Sequence, residues 1–267
     1  MDSVTNAVMG VSSLDARLAL LNAYIFHHAG DSRVLDFLQY QVLLPPWLTR
    51  HGVMMILSAA LLLLLFGLGA RRRDPVPHGL ANLLETLVVF VRNQIAIPSL
   101  GEEDGRRMTP LFCSFFFFIL MMNLIGLIPG FYTPTSNISV TAALAAVTFG
   151  FMVFGAMWRH GVAGFFRGFV PPGVPWAVLW LVVLLEILGV FVRSVALTIR
   201  LFANMLAGHI VIGCLVGLVV VFGVVALPAI LMAVLIYVIE IGVAFLQAYI
   251  FTLLSAAFIG QRYHPEH

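Results

Sequence analysis

Apolar residues fill this chain in long unbroken runs, and polar residues fall mainly in short charged or proline- and glycine-containing breaks between them. A helix needs about 20 mainly apolar residues to cross a hydrocarbon core of roughly 30 Å, and four regions approach or exceed that length. Val53 to Ala70 is the first, stopped by Arg71, Arg72 and Arg73. Pro110 to Ile128 is the second, opening on a proline suited to a helix start and closing at Pro129-Gly130. Ser139 to Trp158 is the third, and a single apolar zone from Trp176 to Ile259, interrupted near Leu227-Pro228, is the fourth. The first limb of that zone, Trp176 to Ala226, would be ~76 Å long as one helix at about 1.5 Å per residue. A helix more than twice the membrane thickness must tilt far or break. The pattern favours a steeply tilted helical hairpin; the alternative is a break near Gly208 and six ordinary crossings.

Between the first two spans, His78 to Ile97 mixes His78, Asn82, Glu85, Arg92 and Asn93 with leucine and valine, the pattern of an amphipathic helix lying at the interface. The fold class expected is therefore an all-α polytopic membrane protein. It has about five membrane helices plus one interfacial helix, the last two spans forming the long hairpin. Residues 1–52 read as an external N-terminal segment, 53–262 as one membrane-embedded domain without internal repeats, and 263–267 as a cytoplasmic tail.

Composition narrows the function. Of 267 residues, 61% are hydrophobic and 10% charged, against roughly 25% charged in a soluble domain, which excludes a water-soluble globule. The 14 basic residues are all arginine and face 12 acids for a net charge of +2, a balance that excludes a nucleic-acid binder driven by counterion release. Cys113 and Cys214 sit in apolar stretches with no Cys/His companions, so no disulfide scaffold or metal site is indicated, and no role beyond packing is expected of them. No cofactor is expected.

In a five-span arrangement Arg71 to Arg73, Arg92, Arg106, Arg107, Arg159, Arg167 and Arg262 all fall on one side, whereas the loops Gly130 to Ile138 and Ala226 to Pro228 carry no charge. The positive-inside rule then puts the C-terminus in the cytoplasm and the first fifty residues outside. Those residues lack the basic start and short apolar core of a cleaved signal.

The final apolar zone holds Glu186, Arg193, Arg200, His209 and Glu240. An ionisable group at bilayer depth costs at least ~2.5–3.5 kcal/mol on insertion scales and marks ion pathways. At about 100° per residue, Glu186, Arg193 and Arg200 share one helix face with Asn204 one turn on, while His209 lies about half a turn round from Arg200. On the returning limb Glu240 and Gln247 are again seven apart, with Tyr237 one turn before Glu240. An antiparallel hairpin sets them beside His209 and Arg200 respectively. Static bridges, Glu186 with Arg193 or His209 with Glu240, are the competing reading. Arg200 has no acid within four residues along its own helix, so its completion is expected from another chain. The small residues Ser194, Ala196, Ala203, Ala207 and Gly208 would let that chain approach.

The run Arg200-Leu201-Phe202-Ala203-Asn204-Met205-Leu206-Ala207-Gly208-His209, with Phe245-Leu246-Gln247-Ala248-Tyr249-Ile250-Phe251, resembles subunit a of the F-type ATP synthases. Pro77, Gly79, Asn82, Glu85, Met122-Asn123-Leu124, Pro134-Thr135 and Asn137 add to the likeness, which runs from about Trp47 to Tyr263. The resemblance implies a non-catalytic proton-channel stator with two offset half-channels, partnered by peripheral-stalk b-type subunits and a ring of small c-type subunits that each carry a membrane carboxylate. It further implies a multi-pass protein of a bacterial inner membrane, the mitochondrial inner membrane being the alternative. Residue by residue, Arg200 matches the arginine facing the ring. Asn204, His209, Glu240 and Gln247 match the outer half-channel, and Glu186 the inner one. Arg193, Tyr237 and Asn123 are secondary candidates. His209 and Glu240 are exchanged relative to some members, which keeps one acid and one imidazole, and Gly126 stands where some relatives have an acid.

Nucleotide chemistry is assigned to other subunits, since no GxxxxGK[ST] phosphate loop occurs. A secondary ion-coupled transporter using Glu186, Arg200 and Glu240 is the rival, and such folds carry repeated halves and broken helices. An intramembrane enzyme built on His27, His28 and Asp31 is a weaker one, because those residues precede the first span in a polar segment.

Overall fold

The computed structural model describes residues 34–37, 40–45, 48–70, 79–128, 131–170, 175–223 and 227–263. His27, His28, Asp31, Arg71 to Arg73 and His78 lie outside the described residues. Among the described ones a two-stranded antiparallel hairpin comes first, β1 (Val34–Phe37) paired with β2 (Tyr40–Leu43) in the register Val34 to Leu43. The hydropathy pattern gave no sign of it.

Among the described residues six helices follow that are long and apolar enough to cross a membrane. They are α1 (Arg50–Ala70), α2 (Leu80–Leu100), α3 (Glu102–Leu127), α4 (Ile138–Phe166), α5 (Trp176–Phe222) and α6 (Leu227–Tyr263). The protein is thus an all-helical polytopic membrane protein in its spans, with helices at each of the five expected positions and at the interfacial one. The segment read from the sequence as interfacial is α2, itself long and apolar enough to cross a membrane, in which a π-helical turn at Val91–Ala96 joins two α-helical pieces.

Two boundaries differ from expectation for physical reasons. Helix α3 begins eight residues before Pro110, which lies inside it. Glu102, Glu103 and Asp104 occupy its first turn, where carboxylates complement the helix dipole. Glu102 and Glu103 also pair with Arg106 and Arg107 one turn on, at 2.5 and 2.8 Å. Helix α4 continues past Trp158 but loses helical geometry at Gly161, whose φ is 72°, a conformation disfavoured by any residue with a Cβ. The long limb is one helix of 47 residues, unbroken through Gly208, so the alternative of a break there is not realised.

The chain packs as two compact units. Of the described residues, the first comprises those from 34 to 60, Leu120–Asn137 and Phe202–Leu246. Its packing centres on Met54, Ile125 and Tyr132, flanked by Leu57, Met121 and Phe131. The guanidinium of the fully buried Arg50 lies 4.2 Å from the Tyr132 ring centroid, and the His51 ring meets that tyrosine edge-on at 6.4 Å. These contacts fasten the segment after α3 to the first turns of α1.

The second unit comprises Leu61–Ile119, Ile138–Leu201 and Gln247–His267. Phe112, Phe116 and Ile119 of α3, Val91 and Ile95 of α2 and Phe251 of α6 are fully buried there. Phe115 meets Phe251 edge-on at 5.7 Å, and Phe90 lies against Phe116 and Tyr249. Thr148 and Ser255 share a buried hydrogen bond of 3.0 Å between α4 and α6. In lipid no hydrophobic force drives helices together, so close packing and interhelical hydrogen bonds, each worth roughly 0.6 kcal/mol, hold such a bundle.

Candidate functional site

In the first unit, α5 and α6 bring His209 and Glu240 together, with Nδ1 and Oε1 3.7 Å apart. That is beyond hydrogen-bond length but close enough for strong Coulomb attraction away from water. Glu240 is 4% exposed, and neither of its carboxylate oxygens has a hydrogen-bond donor among the described residues. A buried carboxylate without donors is costly. Its charge must be met by a proton, by the imidazolium of His209 or by water, which makes the position one where protons can be exchanged. Gly208 makes room for it: a Cβ there would collide with the Glu240 carboxylate.

The far side of the imidazole is held by a residue that sequence reasoning passed over. The hydroxyl of Thr133 contacts His209 Nε2, so Thr133, His209 and Glu240 form a line of exchangeable groups. Thr133 reaches that place because its segment lies directly on α3 at Gly126, where any Cβ would run into the Thr133 side chain and backbone. The sequence signal was indirect, in that Thr133 precedes the Pro134-Thr135 pair that carries part of the resemblance.

Asn123 is fully buried and structural in its contacts. It accepts a hydrogen bond from the Thr135 hydroxyl at 2.6 Å, and its amide donates to the Ala244 carbonyl at 3.4 Å. Tyr237 donates its hydroxyl to the Leu127 carbonyl at 2.7 Å. Both tie α6 to the end of α3 and to the loop beyond.

In the second unit the carboxylate of Glu186 accepts a 2.7 Å hydrogen bond from Arg262, whose guanidinium lies over the Phe169 ring. The bridge from Glu186 to Arg193 is not formed. Seven residues separate those two along ~10 Å of helix, whereas α6 delivers Arg262 directly. Arg193 instead donates to the Gln261 side chain at 2.9 Å and stacks over Phe258.

Arg200 is exposed and has no ion pair or hydrogen bond with any described residue. The expected neighbour Gln247 is only 2% exposed and lies with Ala248 and Phe251 on the buried stripe of α6. Asn204 is exposed one turn further along α5. Of the five small residues on α5, Ala196, Ala203 and Ala207 are exposed, while Ser194 is buried and Gly208 faces Glu240. Cys214 is exposed rather than packed.

These features define a polytopic helical membrane protein with ionisable side chains set inside its apolar helices. Residues 52–260 match the model of the ATP synthase A chain family, and the chain belongs to that family. It is 48% identical over 217 residues to ATP synthase subunit a of Anaeromyxobacter dehalogenans, covering 79% of this chain and 57% of that protein. Against ATP synthase subunit a of Chloroherpeton thalassium it is 44% identical, over 90% of this chain and 77% of the relative. For ATP synthase subunit a of Myxococcus xanthus the identity is 44%, over 82% and 76%. The chain thus spans little more than half the length of the Anaeromyxobacter relatives it matches.

Proposed function

We propose that this chain is the proton-conducting stator subunit of a rotary ATP synthase in a bacterial inner membrane, itself catalysing no bond change. The observation that carries the reading is Arg200, an exposed guanidinium on a long apolar helix with no partner among the described residues. Facing lipid it would cost at least ~2.5–3.5 kcal/mol. Its natural surroundings are a second membrane protein that brings a carboxylate past the exposed Ala196, Ala203 and Ala207. A ring of small subunits, each with one mid-membrane acid, meets that requirement, and peripheral-stalk subunits of the b type complete the stator.

Protons enter from the outside along Thr133, His209 and Glu240 and reach the carboxylate of the passing ring subunit, with Asn204 and Gln247 along the way. The neutralised carboxyl turns into lipid. On the cytoplasmic side it releases its proton near Glu186 and is drawn to Arg200. Arginine suits the barrier because its charge persists when buried. Each proton supplies about 2.3 kcal/mol per 100 mV, so the Arg200 contact must be no stronger than a few such steps. The N-terminal segment lies outside and the tail in the cytoplasm.

The test compares passive proton flux and ATP synthesis in vesicles holding equal amounts of wild-type and Arg200→Ala complex. The variant should assemble, lose synthesis and leak protons down an imposed potential. Normal synthesis by it overturns the proposal.

A further inference from the structure

Outside these constellations a groove of about 640 Å³ lies between α3 and α4, in the second unit. Its long wall is a single face of α4, in which Val147, Gly150, Phe151, Phe154 and Trp158 recur at helical spacing. From Val147 to Arg159 this face rises ~18 Å at about 1.5 Å per residue. One leaflet of the hydrocarbon core is about half of ~30 Å, so the groove is as long as one acyl chain's path through a leaflet.

The two ends differ in chemistry. Toward Val147 the lining is apolar. The other end carries Arg107 and Arg159, with Asp104 bonded to Arg159 at 2.5 Å. Arg107 also holds Glu103, through one nitrogen at 2.8 Å. A guanidinium has five N–H donors, so both arginines retain donors for a second anion. Trp158 is 93% exposed beside them, as at the aromatic belt where a span meets the headgroups, and α4 loses its helical run three residues later, at Gly161.

We infer that this groove is a binding site for one phospholipid with an anionic headgroup. One acyl chain lies along Val147, Gly150, Phe151 and Phe154, and the phosphate sits between Arg107 and Arg159. A helix from another protein is the alternative occupant. It is disfavoured because the groove grades over a single leaflet from apolar to a charged end whose two arginines keep free donors beyond their own carboxylates, the pattern of an amphiphile rather than of a spanning helix. The inference rests on the chain lying in a membrane and is independent of proton conduction.

The full chain, extracted with the subunits that accompany it, is reconstituted into phosphatidylcholine nanodiscs. A minor fraction of either phosphatidylglycerol or phosphatidylcholine carries a photoactivatable acyl chain, and adducts are mapped by mass spectrometry. Labelling between residues 147 and 159 should favour phosphatidylglycerol roughly tenfold, the scale of one or two surface arginines acting on an anionic lipid. Gly150→Phe should cut that labelling severalfold while adducts elsewhere stay constant. A Cβ at Gly150 meets nothing within 4 Å, so the fold has room for the side chain in the groove. Arg107→Gln should reduce the preference for phosphatidylglycerol but keep chain labelling. Equal labelling by both lipids, insensitive to Gly150→Phe, overturns the inference in favour of ordinary boundary lipid. Background lipid labelling, together with peptide crosslinks to another subunit from a photoreactive residue at position 158, overturns it in favour of a protein partner.

Discussion

The carboxylate of Glu240 on α6 lies 3.7 Å from the His209 imidazole on α5, in space that exists because the preceding residue, Gly208, has no side chain. The small residue here serves an ionisable group of the chain itself rather than the approach of a second protein. Pairing and spacing are therefore coupled: the imidazole attracts the carboxylate, and the missing Cβ admits it.

Gly208→Ala should consequently act as a displacement of Glu240. ATP-driven pumping is expected to fall by at least tenfold, about 1.4 kcal/mol in transfer barrier, with the complex assembled. Glu240→Asp, one methylene shorter, should recover part of the activity in the Gly208→Ala background while impairing the parent. Pumping normalised to assembled complex measures this, and equal loss in both backgrounds would show that residue 208 acts elsewhere.

The exchange His209→Glu with Glu240→His should retain more pumping than either single change, since it preserves one acid and one imidazole at 3.7 Å. Residues in direct contact show non-additive effects of 0.5–3 kcal/mol, roughly. Losses that simply add in the double-mutant cycle would mean that the two groups work independently.

The spans and the ionisable residues were legible because lipid imposes a crude rule: twenty apolar residues make a crossing and any charge among them is exceptional. The juxtaposition of His209 and Glu240 followed from the order of polar positions on two antiparallel limbs. What could not be read were contacts that depend on interhelical distance and rotation. Glu186 shares a helix face with Arg193, yet it takes Arg262 from α6. Gln247 repeats seven residues after Glu240, yet it lies on the buried stripe while Arg200 is exposed. Seven residues drift by ~20° on a straight helix, and over limbs of 47 and 37 residues that drift decides which side chains meet. Thr133 lies in a loop, where hydropathy carries no positional information.

Thr133→Val keeps the shape of the side chain and removes the hydroxyl that touches His209 Nε2. Proton flux through the outer path should drop several-fold, on the scale of one lost hydrogen bond of about 1 kcal/mol, while Thr133→Ser restores it. Gly126→Ala should be worse than either and should lower assembly, because its Cβ meets the Thr133 backbone as well as the side chain. Flux and assembly are scored separately in vesicles. A Thr133→Val complex with wild-type flux would remove the hydroxyl from the path.

The Glu186–Arg262 pair separates anchoring from proton release. The Arg262 side chain is 7% exposed but that of Glu186 is 38% exposed, so solvent screens the pair. Breaking it should cost roughly 1–2 kcal/mol rather than the ~3–5 kcal/mol of a fully buried bridge. Arg262→Gln leaves Glu186 without its cation, and Glu186→Gln leaves the buried guanidinium of Arg262 without its anion. The second is the costlier loss for assembly, because the more deeply buried partner is the one stranded. Replacing both together should return assembly close to wild type, since no uncompensated charge remains. If Glu186 only anchors α6, the double variant should also recover pumping. If its carboxylate takes part in proton release to the cytoplasm, pumping should stay depressed despite restored assembly, and Arg262→Gln alone should pump better than Glu186→Gln at equal amounts of complex. Recovery of pumping in step with assembly would reduce Glu186 to a structural residue and leave the inner path to other groups.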